Sequence, residues 1–351
     1  MKNLFVGSAL ALALIPSASA LAQDTPPTPI LVEATRPDGH GPAGMMGDHT
    51  HDKGGLMVGL SLMHEDYRGT SNRGTEDISD DAIAAAGYMA RTRSMTMDMA
   101  MLHIMYAPSD RLTLMVMPSW QRMDMTMVGT GAMAMPGSGH GGHSMAKGET
   151  MSHATEGFGD TQVSALLTLS KGAKHQLHAG LGVSIPTGSV SVKGESGKFV
   201  HYGMQLGSGT WDLLPQMTYR GWAGRFGWGA QTAYVFRGQD ANKSGFRFGD
   251  RFTATGWGSY RASPALSLSG RIAFQTEGKV EGHYNGPHNH SSPPDRQANY
   301  GGDRVEAGLG ANVLLGQFRL GAEANVPLYQ RMNGIQTPKR FGASVNLSTM
   351  F

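Results

Sequence analysis

The sequence RSMTMDMAMLHIMYAPSDRLTLMVMPSWQRMDMTMV, residues 93–128, decides the fold of this chain. Methionine recurs with a period of two on both sides of a short interruption at 107–110, Ala-Pro-Ser-Asp. A period of two is that of a β-strand, because successive side chains point to opposite faces, whereas a helix would spread these methionines around its surface. The stretch therefore predicts a β-hairpin with one face of thioethers.

The opposite face of this hairpin changes character along its length. Away from the turn it holds Thr96 and Asp98 on one strand and Arg122 and Asp124 on the other. Near the turn it is apolar, with Ala100, Leu102, Ile104 and Tyr106, then Leu112, Leu114, Val116, Pro118 and Trp120. This pattern is typical of a strand pair that crosses a membrane and projects beyond it.

The beginning of the chain predicts export. Residues 1–22 combine a basic start, an apolar run and the cleavage pattern Ala20-Leu21-Ala22, which together indicate a secretory signal peptide. Residues 23–54 form a leader rich in Pro, Gly and His, expected to be flexible on the periplasmic side or tucked into a barrel mouth. No later run of about eighteen apolar residues predicts a transmembrane helix.

Residues 55–351 alternate strand-like segments with short and long connections in turn. Counting them predicts an all-β, up-and-down antiparallel transmembrane barrel of about twelve strands, with short turns and both termini on the periplasmic side. The 50 glycines among 351 residues and the modest charge suit such strands. The barrel is therefore expected in the outer membrane of a Gram-negative bacterium, in contact with its lipid. The net charge of +2, without a basic stripe, argues against a nucleic-acid partner.

The last strand ends in Phe351, with Phe341, Ala343, Val345, Leu347 and Thr349 on the same face. This resembles the carboxy-terminal signature that outer-membrane barrels present to the barrel assembly machinery. GDTQVSALLTL (159–169), GLGVSIPTGS (180–189) and GSGTWDLLPQMTY (207–219) resemble the outer-membrane transporter family named for the meta-pathway of phenol degradation. MGDHTHDKGGLMV (46–58) and MYAPSDRLTLMVM (105–117) resemble its Met/His-rich, copper-associated branch. The resemblance implies a small-solute channel.

The methionine face predicts a site for a soft metal. If the aliphatic face contacts lipid, the methionines line the lumen, and thioethers bind Cu(I) or Ag(I) without losing a proton. A flexible apolar filler is the alternative role for methionine. The candidate ligands on the hairpin are Met95, Met97, Met99, Met101, His103, Met105, Met115, Met117, Met123, Met125 and Met127. Those in the leader and in loop 129–157 are His49, His51, His140, His143, Met145 and His153.

Charged residues are expected on the inward face of the later strands. They are Arg220, Arg261, Arg271, Glu277, Arg304, Glu306, Arg319 and Glu323. Two interpretations remain open: mutually paired charges that fill a narrow lumen, or a lining that selects a polar solute.

Three functions are therefore compatible with the sequence. The first is an outer-membrane channel for copper handling or efflux, with Cu(I) as its ion. The second is a channel for small hydrophobic or aromatic compounds. The third is a metal-sequestering barrel with a plugged lumen. No nucleophile elbow, phosphate loop or zincin motif predicts an enzyme.

Overall fold

The computed structural model of the protein describes residues 36–132 and 145–351. The predicted signal peptide, the first part of the leader (23–35), His140 and His143 lie outside the described residues. No helix in the described part of the chain is long and apolar enough to cross a membrane.

The described chain forms a closed antiparallel barrel of twelve strands, which confirms the predicted fold class. Two of the strands are interrupted once, at Pro118 and at Gly159-Asp160. The strands are β1 (Leu56–Arg68), β2 (Ala90–Ser109), β3 (Leu112–Met117 and Ser119–Gly129), β4 (Thr150–Phe158 and Thr161–Gly172), β5 (His175–Ile185), β6 (Asp212–Ala223), β7 (Phe226–Arg237), β8 (Arg251–Arg261), β9 (Leu266–Glu277), β10 (Gly302–Leu315), β11 (Phe318–Gln336) and β12 (Lys339–Met350).

The barrel closes through β1, which pairs with β2 along one edge and with β12 along the other. All other strands pair with their neighbours in the sequence. Two-residue turns, such as Asp110-Arg111 and Ala173-Lys174, join strands at one end, where both β1 begins and β12 ends. The long connections therefore all lie at the opposite, outer end.

The outer surface is apolar through the middle of the barrel and charged above it. Leu62, Ala100, Trp120 and Phe158 form one row across four strands, and the next row outward is His64, Asp98, Arg122 and Glu156. Asp98 accepts a hydrogen bond from His64 at 2.7 Å, and Arg122 pairs with Asp124 at 2.8 Å. The apolar band on strands β1 to β4 therefore ends between these two rows. Asp98 lies beyond the band, so its charge on the outward face does not contact lipid.

Three connections at the outer end contain regular structure because strands continue beyond the membrane. Residues 67–92 contain a small hairpin and a short helix, α1 (Asp80–Ala85). The end of the predicted loop 129–157 belongs to the strand segment Thr150–Phe158, which pairs with the projecting part of β3 and places His153 opposite Met125. At the third, β11 runs to Gln336 and pairs there with residues 72–74.

Loops between β5 and β6, β7 and β8, and β9 and β10 fold together over the outer end. Their buried side chains form an aromatic lid, whose members are Val190, Phe199, Tyr202, Phe246, Val280 and Tyr284. The Tyr284 ring stacks on Tyr202 and on Phe199, with centroids 4.4 Å apart in both cases. The buried Asp295 accepts a hydrogen bond from His201 at 2.7 Å. Burial alone would raise the pKa of Asp295, but the neighbouring His201 lowers it on balance.

The end of the leader, residues 36–54, lies inside the barrel and fills its short-turn half. Within this segment, Pro37 contacts Arg319 and Gly44 contacts Glu323 on one side of the barrel. His51 contacts Thr113 on β3. We call this segment the inner plug. It makes the two ends of the lumen unlike each other, with backbone at the periplasmic end and an aromatic lid at the outer end.

Candidate functional site

The methionine face of the hairpin lines the lumen. Met101, Met105, Met115, Met117, Met123, Met125 and Met127 are all buried, while Leu102, Ile104, Leu114 and Val116 between them are exposed on the lipid side. Met95 and Met97 are partly buried against the same cluster. The strand period of two thus places every thioether of the ladder on the interior side.

Neighbouring strands extend this face into a continuous surface, which we call the methionine wall. Met105 lies opposite Met115, Met97 opposite Met123, and Met95 opposite Met125. On the other side of β2, Met57 of β1 lies opposite Met105 and Met63 opposite Met99. Directly opposed residues share a face of the sheet. Met57 and Met63 were absent from the sequence-based set, although they alternate with the outward Leu56, Val58, Leu60 and Leu62.

The methionine wall is covered at both ends by further thioethers. At the outer end, Met145 and Met204 are buried with Met123, Met125 and Met127. At the inner end, Met46 of the inner plug contacts the cluster of Met57, Met105, Met115, Met117 and Leu166. Thioethers therefore follow one side of the lumen from the plug to the lid.

The predicted histidine ligands separate into two groups. His49 and His51 of the inner plug have ring centroids 4.9 Å apart, and His40 stacks on His49 at 3.9 Å. His103 lies on the methionine wall and is buried. At the outer end, the His153 ring is 6.1 Å from that of His201. Burial lowers the pKa of His40 well below its ordinary value, with neighbouring His49 and Arg319 acting in the same direction.

The other side of the lumen carries the predicted charges, and half of them form ion pairs. Glu323 binds the guanidinium of Arg271, and Glu306 binds both Arg304 and Lys339 at 2.8 Å. Lys339 also contacts Glu65 at 2.8 Å. This arrangement agrees with the interpretation of a lumen packed with paired charges.

The remaining predicted lining residues hold the inner plug or lie near one end of the barrel. Arg319 donates to the carbonyl of Pro37 at 2.8 Å, and Arg220 donates to the carbonyl of Gly39. Arg261 lies at the short-turn rim, 3.5 Å from the carbonyl oxygen of Gly224. Glu277 is at the outer end, where it lines a cavity. Arg220 and Arg319 thus act as anchors for backbone carbonyls of the plug.

That cavity lies at the outer end of the lumen, where Val280 of the lid is among its lining residues, and has a volume of about 280 Å³. Met95 and Met125 form one of its sides, and Arg304 and Glu277 contribute charge. Its aromatic lining residues are Tyr67, Phe248 and Tyr300. The cavity is large enough for a hydrated ion or a small aromatic molecule.

Within the described residues, no group of three or more His, Cys, Asp or Glu side chains is arranged to hold a metal ion. The available soft donors are thioethers and single imidazoles, a combination that suits Cu(I).

Comparisons with known proteins agree with this geometry. The family model described as "Putative MetA-pathway of phenol degradation" matches residues 124–302, just over half of the chain. An outer membrane channel from Pseudomonas putida F1 is similar in structure, with a TM-score of 0.58 and 17% identity over 88% of this chain and 99% of that one. The toluene transporter TodX of P. putida has a TM-score of 0.41 and 10% identity over 85% and 90% of the two chains. No curated protein matches the sequence significantly.

The closed barrel with its outward apolar band is an integral protein of the Gram-negative outer membrane, and its class is that of outer-membrane β-barrels. The chain belongs to the family of the MetA pathway of phenol degradation, which confirms the family predicted from sequence. Its assignment to a copper-associated branch stays a prediction.

Proposed function

We propose that this channel conducts a soft monovalent metal ion, Cu(I) or Ag(I), along the methionine wall. The observation that supports this most is that two thioether clusters, one beside the inner plug and one at the outer end, lie on the same face of β2 and β3, with Met99 and Met101 between them. An ion that moves through a pore needs several weak sites, so that each binds it and releases it. Neutral, flexible thioethers provide such sites, and the charge pairs opposite them leave few uncompensated anions to trap a cation.

The test is calorimetric titration of Cu(I), under reducing conditions, into the detergent-refolded protein and into a variant with Met97, Met99, Met101 and Met115 replaced by Leu. Leu preserves apolarity and approximate volume but removes sulfur. Since removing a group that only orients a metal ligand costs about 10–100-fold in affinity, loss of the ligands themselves should weaken binding at least as much.

A matched control replaces a methionine that faces outward instead. Met217 is exposed on the outward face of β6, so its replacement by Leu removes sulfur without altering the lumen. We expect this control to bind Cu(I) like the unmodified protein. Equal loss of binding in both variants, or no binding by the unmodified protein, would contradict a metal path along the wall.

A second candidate function is a channel for small hydrophobic or aromatic compounds. It is favoured by the 280 Å³ cavity with its tyrosine, phenylalanine and methionine lining and by the family's description, which names phenol degradation. The same four-Leu variant separates the two proposals, because an apolar path works equally well with leucine. Assembly through the barrel machinery at Phe351, whose side chain is exposed at the end of β12, also belongs to the proposal.

A further inference from the structure

A second, much smaller cavity lies where the inner plug meets the methionine wall. Its volume is about 30 Å³, and residues from both sides line it. About 10–15 Å³ of such space is enough for one water molecule, so this cavity accommodates a single ion and no organic solute. The lining includes His49 from the plug and His103, Met105 and Met115 from the wall.

Two imidazole nitrogens at this cavity are without hydrogen-bond partners. The Nε2 atoms of His49 and His103 are both buried and unpaired, and the two residues are only 3% and 5% exposed. A buried polar atom without a partner is costly and calls for an explanation such as an ion. Two such nitrogen atoms at one cavity of this size indicate a bound cation that accepts a lone pair from each.

The surroundings of His49 prepare it for that role. Its Nδ1 lies 2.8 Å from the Asp48 carboxylate, to which it donates. With the proton held on Nδ1, Nε2 carries a free lone pair, which is the tautomer that a carboxylate partner fixes in metal-binding histidines. Asp48 is itself held by the backbone N–H of Gly41 at 2.6 Å.

We propose that His49 and His103, with the thioethers of Met105 and Met115, bind one Cu(I) or Ag(I) ion that ties the inner plug to the methionine wall. The inference rests on the proposed soft-metal function and adds a defined binding site and an effect of the ion on the position of the plug. Because the ligands come from both segments, the ion stabilises the plug in its position inside the barrel.

The donors also determine which ions the site accepts. Two imidazoles and two thioethers suit Cu(I), whereas Zn(II) prefers His, thiolate and carboxylate ligands. Asp48 and Arg319 also line the cavity, and their opposite charges offset each other for a cation of either valence. The site should therefore discriminate by the softness of the ion.

The test combines Ag(I) titration with hydrogen exchange of residues 36–54 in the full chain. The variants are His49→Gln and His103→Leu, singly and together, with His64→Gln as the control because His64 lies on the outer surface. Folding of each variant is verified by its heat-dependent mobility on gels. We expect Ag(I), but not Zn(II), to slow exchange in the plug, and the double variant to bind one ion fewer and to lose this protection.

The outcomes separate this inference from the proposed function. The path is tested here by a variant with only Met97, Met99 and Met101 replaced by Leu, which keeps the proposed ligand Met115. If the histidine variants bind as many ions with unchanged protection while this three-Leu variant loses ions, the site is wrong and the metal path stands. If the histidine variants lose one ion and the three-Leu variant binds as the unmodified protein does, the site stands and the path along the wall is wrong. Absence of Ag(I) binding by the unmodified protein overturns both. If single variants do not fold, protection of the unmodified plug by Zn(II) equal to that by Ag(I) is enough to overturn the site.

Discussion

Removal of residues 36–54 is expected to convert a closed barrel into one with steady ion currents in planar lipid bilayers. The inner plug fills the short-turn half of the lumen, and its contacts with the barrel are mainly hydrogen bonds, as from Gln176 to Thr50 and from Gln231 to Met46. Each such bond contributes only about 0.5–1.5 kcal/mol net, because water replaces it when the plug leaves. The plug therefore controls conduction without being needed for the barrel.

A disulfide offers the matched control for this experiment, since the chain contains no cysteine. A Cβ atom on Gly321 would lie 3.4 Å from that of Ala43, near the usual disulfide separation of about 3.8 Å, once the Asn312 side chain rotates away. We expect the oxidised Ala43→Cys/Gly321→Cys protein to stay closed and to match the unmodified chain when reduced. If the protein without the inner plug carries no ion current, other segments of the chain close the barrel, and this result would support the metal-sequestering function.

Glu323→Ala is expected to lower the free energy of unfolding more than any other single charge removal on the lumen side of β9 to β11. The Glu323 side chain is fully buried and accepts hydrogen bonds from two guanidinium nitrogens of Arg271, Nε and Nη2, and it also accepts the N–H of Gly44 at 3.2 Å. Removing one partner of a buried ion pair leaves the other charge uncompensated, which costs about 3–5 kcal/mol. Urea titration of the refolded barrel, followed by tryptophan fluorescence, measures the change.

The comparison is Asp124→Ala, which breaks the ion pair with Arg122 on the projecting part of β3. Both side chains of that pair are more than 40% exposed, so its removal should cost less than about 1 kcal/mol. Equal, small effects of the two substitutions would show that water reaches Arg271 and that the lumen is wider than the ion pairs imply.

The barrel itself could be predicted because its signal is local and repeated. Every strand displays its lipid face with a period of two, and the short turns at Gly224-Arg225 and Gly316-Gln317 mark one end. The inward orientation of the methionine wall could be predicted from the same period, because Leu102, Ile104 and Val116 on the opposite face are typical of a lipid-facing surface. Asp98 shares that face, and the structure places it above the apolar band.

The parts that the sequence could not predict depend on contacts between distant segments. Nothing in residues 36–54 alone shows that their carbonyls face Arg220 and Arg319, which lie more than 180 residues away. The aromatic lid likewise combines three loops whose separate sequences resemble ordinary solvated connections. The cavity shared by His49 and His103 depends on both placements, one in the plug and one on β2.

Silver flux across proteoliposomes tests the central claim most directly. Protein lacking residues 36–54 is reconstituted with an Ag(I)-sensitive dye inside, in its otherwise unmodified form and with Met97, Met99, Met101 and Met115 replaced by Leu. A conducting methionine wall predicts rapid Ag(I) entry in the first, much slower entry in the second, and the same K⁺ conductance in both. Equal Ag(I) entry would contradict the claim, because the sulfur atoms would then contribute nothing to passage, and the lumen would be an unselective or apolar path.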